Sequence, residues 1–322
     1  MNVFSIVAAF SLLMPMARSS SDAFSTDVEL LNETLMDLTM LVHNLHEEIY
    51  RPGDPVPTNA YDFYEFHNAQ PFSPDQAIAA SAMGYCFGVF RGTKAFSARD
   101  RSQNLRAFPK QQVCPANSVS EDDCCVAHKG FLNIYNSRYV QDFENDLLHC
   151  MENFCTDPTG DCLVLGGMSQ GAGIATIASV IFADYNPIVI GFGQPGSVAS
   201  DCEAIESDRH YRFIGALPAV PEYDPVALIG PQVGLYWYGH TFLASDQDVT
   251  GMAYLGLDNQ GIDLPSGSAE AHGASLRNVA AVKEYNDSEG TYPVRVSGYV
   301  TGSACTTDEE CDSQFCDGNV CV

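Results

Sequence analysis

The sequence predicts an α/β fold with a mostly parallel central sheet flanked by helices. Three observations carry this. Short apolar runs of strand length alternate with segments of helical periodicity along the chain. One such run, Leu163-Val164-Leu165-Gly166, passes through Gly167-Met168-Ser169-Gln170-Gly171 into a helix-like Ala172–Ala178, a strand, a tight turn and a helix in succession. An acidic residue and a histidine then follow that serine in chain order, at Asp224 and His272.

Taken from the N-terminus, Val3 to Met16 is apolar apart from Ser5 and Ser11 and is too short to span a bilayer comfortably. Ala17-Arg18-Ser19 places small residues for cleavage after Ser19, so residues 1–19 read as a signal peptide. Thr26-Asp27-Val28-Glu29 fits a capping box. Val28, Leu31, Leu35, Leu38, Val42 and Leu45 recur every three or four positions, which predicts an amphipathic helix over 27–49 packed on the sheet. The proline-bearing stretch Arg51 to Thr58 ends it.

Ala82 to Phe90 reads as one strand running into Arg91-Gly92-Thr93. Residues 94–126 are polar, with Phe96, Leu105 and Phe108 as exceptions, and Asn133 to Phe154 reads as one long helix. Strands are predicted at Pro187 to Phe192, Tyr211 to Ile214, Tyr236 to Phe242 and Tyr292 to Val296, and a helix from Leu276 to Tyr285. Residues 20–300 form the main domain. Residues 301–322 carry Cys305, Cys311, Cys316 and Cys321 with few large apolar side chains, and read as a small Cys-rich appendage held by disulfides.

The chemistry implied by Gly167–Gly171 is nucleophilic. A serine on a sharp strand-to-helix turn needs small flanking residues, and its hydroxyl then stands exposed over a helix N-terminus that favours developing negative charge. Serine is a poor nucleophile until a histidine takes its proton and a carboxylate orients that histidine. Ser169, Asp224 and His272 occur in the chain order of the α/β-hydrolase fold. His240 and His272 are the histidines that follow Asp224. His272 is the expected base, because it lies in what reads as a loop beyond the core strands; His240 reads as a packed strand histidine. A backbone N–H after the 82–90 strand, with the N–H of Gln170, would complete an oxyanion hole. Arg91 is expected to tie that loop down by charged hydrogen bonds and not to touch substrate.

These motifs resemble those of the class 3 (fungal-type) lipases. The likeness runs through Phe90-Arg91-Gly92-Thr93, Ala127-His128-Lys129-Gly130-Phe131 with Tyr135, the Gly167–Gly171 turn, Gly191-Phe192-Gly193-Gln194-Pro195-Gly196, Asp224-Pro225-Val226 and His272, roughly residues 60 to 285. The resemblance implies Ser169 as nucleophile, Asp224 as acid, His272 as base, Thr93 and Gln170 as oxyanion donors, and a structural His128. It implies no metal and no organic cofactor, and a lid within residues 94–126, although the apolar content there is low for docking on lipid. Lipid esters are the substrate class it suggests; phospholipid and feruloyl-type phenolic esters are served by the same scaffold. A non-catalytic secreted binding protein that works through its Cys-rich tail is the competing reading. This chain departs from the family pattern in Met-Ser-Gln where His-Ser-Leu is common, in Gly196-Ser197-Val198-Ala199 where Arg-Val-Gly-Asn is usual, and in extra residues from Leu217 to Glu222.

Composition narrows the partners. The 322 residues hold 41 acidic against 15 basic side chains, a net charge of −26. Phosphate backbones and anionic membrane surfaces are therefore poor partners. The 12 cysteines suit an oxidising, extracellular compartment. Cys86, Cys114, Cys124, Cys125, Cys150, Cys155, Cys162 and Cys202 belong to the main body, and bridges are expected within the body and within the tail but not between them. Spacing leaves the pairing inside each set open. The sequons Asn32-Glu33-Thr34 and Asn286-Asp287-Ser288 are compatible with glycosylation.

Overall fold

Strands in the middle of this chain carry apolar side chains on both faces, which requires that both faces be covered. In β6 (Leu163–Met168), Leu163 and Leu165 point into one buried cluster and Val164 into another. Neighbouring β7 (Ile188–Phe192) alternates in the same way, with Val189 on the first side and Ile190 and Phe192 on the second. A computed structural model describes residues 32–50, 60–68, 76–92, 110–118, 120, 123–137, 140–156, 161–200, 202, 205, 207–217, 222–223, 235–245, 252–257, 269–287, 294–296, 316–317 and 320–321.

Among the described residues the central sheet has ten strands. Besides β6 and β7 it holds β1 (Phe63–Asn68), β2 (Gln76–Ala82), β3 (Tyr85–Phe90), β8 (His210–Leu217), β9 (Glu222–Tyr223), β10 (His240–Ser245), β11 (Met252–Leu257) and β12 (Val294–Val296). Its order is β1-β2-β3-β6-β7-β8-β10-β11-β12, with β9 paired to β8. The run from β3 through β6, β7 and β8 to β10 is parallel. Antiparallel pairs flank it at β1–β2, β2–β3 and β10–β11. Two small antiparallel ladders stand apart: β4 (Gln111–Val113) with β5 (Cys125–Ala127), and β13 (Cys316–Asp317) with β14 (Val320–Cys321).

One face of the sheet is covered by α2 (Lys129–Tyr135), α3 (Val140–Phe154) and α4 (Gln170–Ile181), through Phe131, Phe143, Leu147, Ile174 and Ile177. The other is covered by α1 (Glu33–Tyr50) and α5 (Ala269–Asp287), through Leu38, Val42, Leu45, Leu276 and Val279. The two helices of that face are joined by an ion pair of 2.8 Å between Lys283 and Asp37. The central strands thus lose water on both sides, the main stabilising term in such a fold. No described helix is long and apolar enough to cross a membrane.

Several boundaries differ from the sequence reading, each for a local reason. Residues 82–90 are not one strand. Ala82 pairs with Tyr85 across a two-residue turn at Met83-Gly84, both at positive φ (55° and 79°), so the chain reverses there. The helix predicted from residue 27 is described from Glu33. Its cap is Asn32, whose Oδ1 accepts the N–H of Leu35 at 2.8 Å; the Thr26 capping box lies outside the described residues. The long helix predicted over 133–154 is two. The first closes at Asn136, whose N–H reaches the Leu132 carbonyl, and Ser137 donates to the Ile134 carbonyl in a tighter turn. The strand predicted from Tyr236 begins at His240; Tyr236 makes only an isolated bridge to Val198. The extra residues from Leu217 to Glu222 join β8 to β9, which turns back to pair with it. The signal-peptide segment 1–19, residues 93–109 and most of the tail lie outside the described residues.

Four disulfides pair the eight body cysteines among themselves: Cys86–Cys150, Cys114–Cys124, Cys125–Cys202 and Cys155–Cys162. The first ties β3 to α3 and closes a loop of 64 residues. In a chain-entropy account a loop of that length stabilises the fold by about 4 kcal/mol. Replacing Cys86 and Cys150 together by alanine should lower the unfolding free energy by about that amount, read from urea denaturation of the purified protein; a change below about 1 kcal/mol would show that this bridge is incidental.

Candidate active site

The site is built where β3, β6 and α4 meet. A side-chain carbon on Gly167 would sit 2.5 Å from the Phe90 carbonyl oxygen and 2.7 Å from the Gly171 backbone. One on Gly171 would collide with the same Phe90 oxygen. Both glycines of the motif are thus required by close backbone approach. Between them Ser169 adopts φ 56° and ψ −122°, a conformation that non-glycine residues rarely hold. It is held there by its own N–H, which donates to the Phe192 carbonyl at 2.8 Å, and by its carbonyl, which accepts from Gly173 at 3.1 Å. Serine at a helix start commonly caps it, yet the Ser169 side chain makes no capping hydrogen bond. Gln170, buried, is the first residue of α4, so its N–H stands at the positive end of that helix.

His272 lies in the first turn of α5 and not in a loop ahead of it, as the sequence reading had it. It is half-buried. Its helix is pressed onto β8 at Gly215, where a side-chain carbon would strike the Ala271 carbonyl and come within 2.6 Å of the Ser275 N–H. Asn278 donates to the Ala244 carbonyl of β10 at 2.9 Å and holds the next turn. Phe192, which receives the Ser169 N–H, is in register with Phe213 of β8, two residues before Gly215. Ser169 and His272 are therefore both carried to the carboxyl edge of the sheet. His240 begins β10, is buried, and stacks on Tyr211 with ring centroids 5.5 Å apart, a packed strand histidine. Asp224 and Thr93 lie outside the described residues; β9 ends one residue before Asp224, with Tyr223 in register with Ala216.

Arg91 is fully buried and turned into the fold. Its Nη1 donates to Gln76 Oε1 at 2.6 Å and its Nε to the Gly92 carbonyl at 3.1 Å, while its backbone N–H reaches the Gln76 carbonyl. His46 of α1 is buried with it, and burial first, then the charges of His43 and Arg91, lower its pKa to about 3. His128 caps α2, its Nδ1 accepting the Phe131 N–H at 3.3 Å, and its ring lies flat on Phe131 with centroids 3.8 Å apart. Phe131 in turn packs where Gly173 of α4 leaves room, so His128 supports the elbow helix from behind. Among the described residues no group of three or more His, Cys, Asp or Glu could hold a metal ion. Gln76, His46 and Gly215 are the contributors the sequence did not reveal, since each matters only through a partner far along the chain.

Residues 87–226 match the model of the Lipase (class 3) family, a span that includes Ser169 and Asp224 and stops short of His272. That match places the middle of the chain, and the fold around it, with the class 3 lipases it is similar to. The match supports a lipase-like carboxylic ester hydrolase. Among solved structures it is similar to a fungal lipase in an inhibitor complex, at 16% identity and a TM-score of 0.54 over 75% of this chain and 94% of that one. It is similar also to a mutant form of MDLA from Penicillium cyclopium, at 15% identity and a TM-score of 0.54 over 80% of this chain and 100% of that one. At such identities the likeness speaks to the fold. No curated protein sequence matches the chain.

Two buried histidines give the site's scaffold a pH dependence. His46 and His210 are both held near pKa 3, chiefly by burial, against 6.5 in an unfolded chain. Between those values the unfolded state binds protons that the folded state refuses. Their contribution is intact above pH 6.5 and is lost as pH falls towards 3. Going from pH 7 to pH 5 should therefore cost about 2 kcal/mol per histidine. Urea denaturation across this range checks it, and His46→Asn should remove about one proton from the slope; an unchanged slope in a folded variant would contradict the assignment.

Proposed function

We propose that this lipase is a secreted serine hydrolase that cleaves lipid acyl esters through an acyl-enzyme. Ser169 is the nucleophile, His272 the base and Asp224 the carboxylate that orients it, with the N–H groups of Gln170 and Thr93 receiving the oxyanion. The observation that carries this is the conformation of Ser169: a serine at φ 56°, on a turn that two glycines make possible, with its hydroxyl left out of helix capping. Backbone strain of this kind clusters at functional sites, where it presents a side chain for use.

In this reading the Ser169 Oγ attacks the ester carbonyl as its proton passes to His272. The negative oxygen of the tetrahedral intermediate is held by the two N–H donors, that of Gln170 strengthened by the α4 dipole. His272 then gives its proton to the departing alcohol, and water, deprotonated by the same histidine, releases the acid. Packing of α5 on Gly215 supports the role of His272, and the turn of β9 beside Ala216 supports that of Asp224. Secretion is supported by the four disulfides, which persist in oxidising compartments. Residues 301–322 are read as an appendage without catalytic groups, and the body cysteines, all bridged among themselves, are consistent with its stapling being internal.

Ser169→Ala should lower ester turnover at least about 10³-fold and abolish labelling by a fluorophosphonate, with the fold intact by circular dichroism. Near-normal turnover in the folded variant would end the proposal. His272→Ala should likewise abolish turnover, whereas His240→Ala should lower the melting temperature while folded molecules keep their kcat. The opposite pattern would move the base to β10.

A further inference from the structure

The carbonyl that holds Ser169 in place stands at the end of a buried polar chain. Ser169 donates its N–H to Phe192, the last residue of β7, at 2.8 Å. The backbone then turns at Gly193, at φ 55°, whose N–H reaches the Phe213 carbonyl of β8 at 2.8 Å. Gln194 comes next and is fixed twice. Its backbone carbonyl accepts the Arg212 Nε–H at 3.1 Å, and its side-chain Nε2 donates to Thr176 Oγ1 at 2.8 Å. Thr176 lies on α4 and donates in turn to the Ala172 carbonyl, in the first turn of that helix, at 3.2 Å. All three side chains are buried, and the Arg212 guanidinium is held 4.0 Å over the Trp237 ring. The Gln194 amide fits because Gly191 is bare: a side-chain carbon there would collide with Gln194 Oε1 and come within 3.2 Å of the Ala172 Cβ.

One side chain thus joins the exit of β7 to the helix that begins beside the nucleophile. We infer that Gln194 is a positioning residue for Ser169: anchored by Arg212, it locks the end of β7 to Thr176 of α4 and so maintains the strained turn between them. This rests on the nucleophile role proposed above for Ser169. A residue in a sparsely populated backbone region persists only when its surroundings over-determine it. The two glycines make room for the turn, but its N–H partner belongs to β7 and its exit to α4, and these must keep a fixed separation. Gln194 spans that separation. The inference accounts for a buried amide and a buried hydroxyl bonded to each other, where an apolar pair would fill the space with less desolvation. It also separates Gln194 from substrate: its effect passes through the backbone that aims the Ser169 Oγ, so attack is affected and binding of the ground-state ester is not.

The test compares Gln194→Met, Thr176→Val and Thr176→Ser with wild type on a small soluble ester, and in the rate of labelling by a fluorophosphonate, which reads attack by Ser169 without turnover. Gln194→Met and Thr176→Val each remove the bond between the two side chains with little change of volume. Both should lower kcat about tenfold or more with KM within about twofold, because a displacement of about 1 Å at the reacting atom costs up to about 10²-fold. Labelling should slow by the same factor. Thr176→Ser keeps the hydroxyl and should hold kcat within about twofold of wild type. Should Gln194→Met not fold, Thr176→Val removes the same bond from its other end. A folded variant that lacks the bond yet keeps its kcat and labelling rate overturns the inference, as does a loss confined to KM, or a Thr176→Ser protein as impaired as Thr176→Val. Failure of the wider reading would look different, since Ser169→Ala would then remain active and wild type would not be labelled at Ser169.

Discussion

The site depends on one close approach. The carbonyl oxygen of Phe90, last residue of β3, faces the α-carbons of both Gly167 and Gly171 with no room for a methyl group. That contact fixes the end of β6 and the first turn of α4 against β3 at once. The chain between the glycines has three residues in which to leave a strand and enter a helix, and Ser169 takes up the turn with its positive φ. Around this point the buried arginines act alike. Arg91 holds the Gly92 carbonyl at the exit of β3, and Arg212 of β8 holds the Gln194 carbonyl at 3.1 Å beyond β7 while lying 4.0 Å over the Trp237 ring. Each uses a charged donor to fix a loop oxygen, a stronger bond than a neutral side chain would make.

What could be read from the sequence was local. The elbow was legible because the steric need for small residues, the apolar strand before it and the helix after it all fall within a dozen or so positions. The role of His128 and the tying function of Arg91 were legible through their motifs. The turn at Met83-Gly84 was not, because Ala82 to Phe90 carries no polar break that marks a reversal. The stop at Asn136 was missed for a similar reason: nothing in Asn136-Ser137 alone marks a helix end, which shows only where the Ser137 N–H reaches back to the Ile134 carbonyl.

The start of α5 shows where propensity misleads. Gly273 argues against a helix at that point, yet the helix begins at Ala269 and runs through it, with open space around the Gly273 α-carbon. Tertiary packing decides the matter, since the preceding turn is seated on Gly215 of β8, about 55 residues away in sequence, and no local window contains both. Gln76 and His46 were invisible for the same reason. A buried glutamine or histidine declares its purpose only when its partner is in view.

The bridges also divide the molecule unequally. All four lie between Cys86 and Cys202, and no cysteine occurs before Cys86 or between Cys202 and Cys305. The half of the protein that carries Ser169 is cross-linked, whereas α1, α5 and strands β8 to β12 are held by non-covalent contacts. The layer that carries His272 is therefore the one without covalent restraint. Under the roles proposed for Ser169 and His272, heating is expected to displace the base while the cross-linked half still holds the nucleophile, so that activity falls ahead of global unfolding.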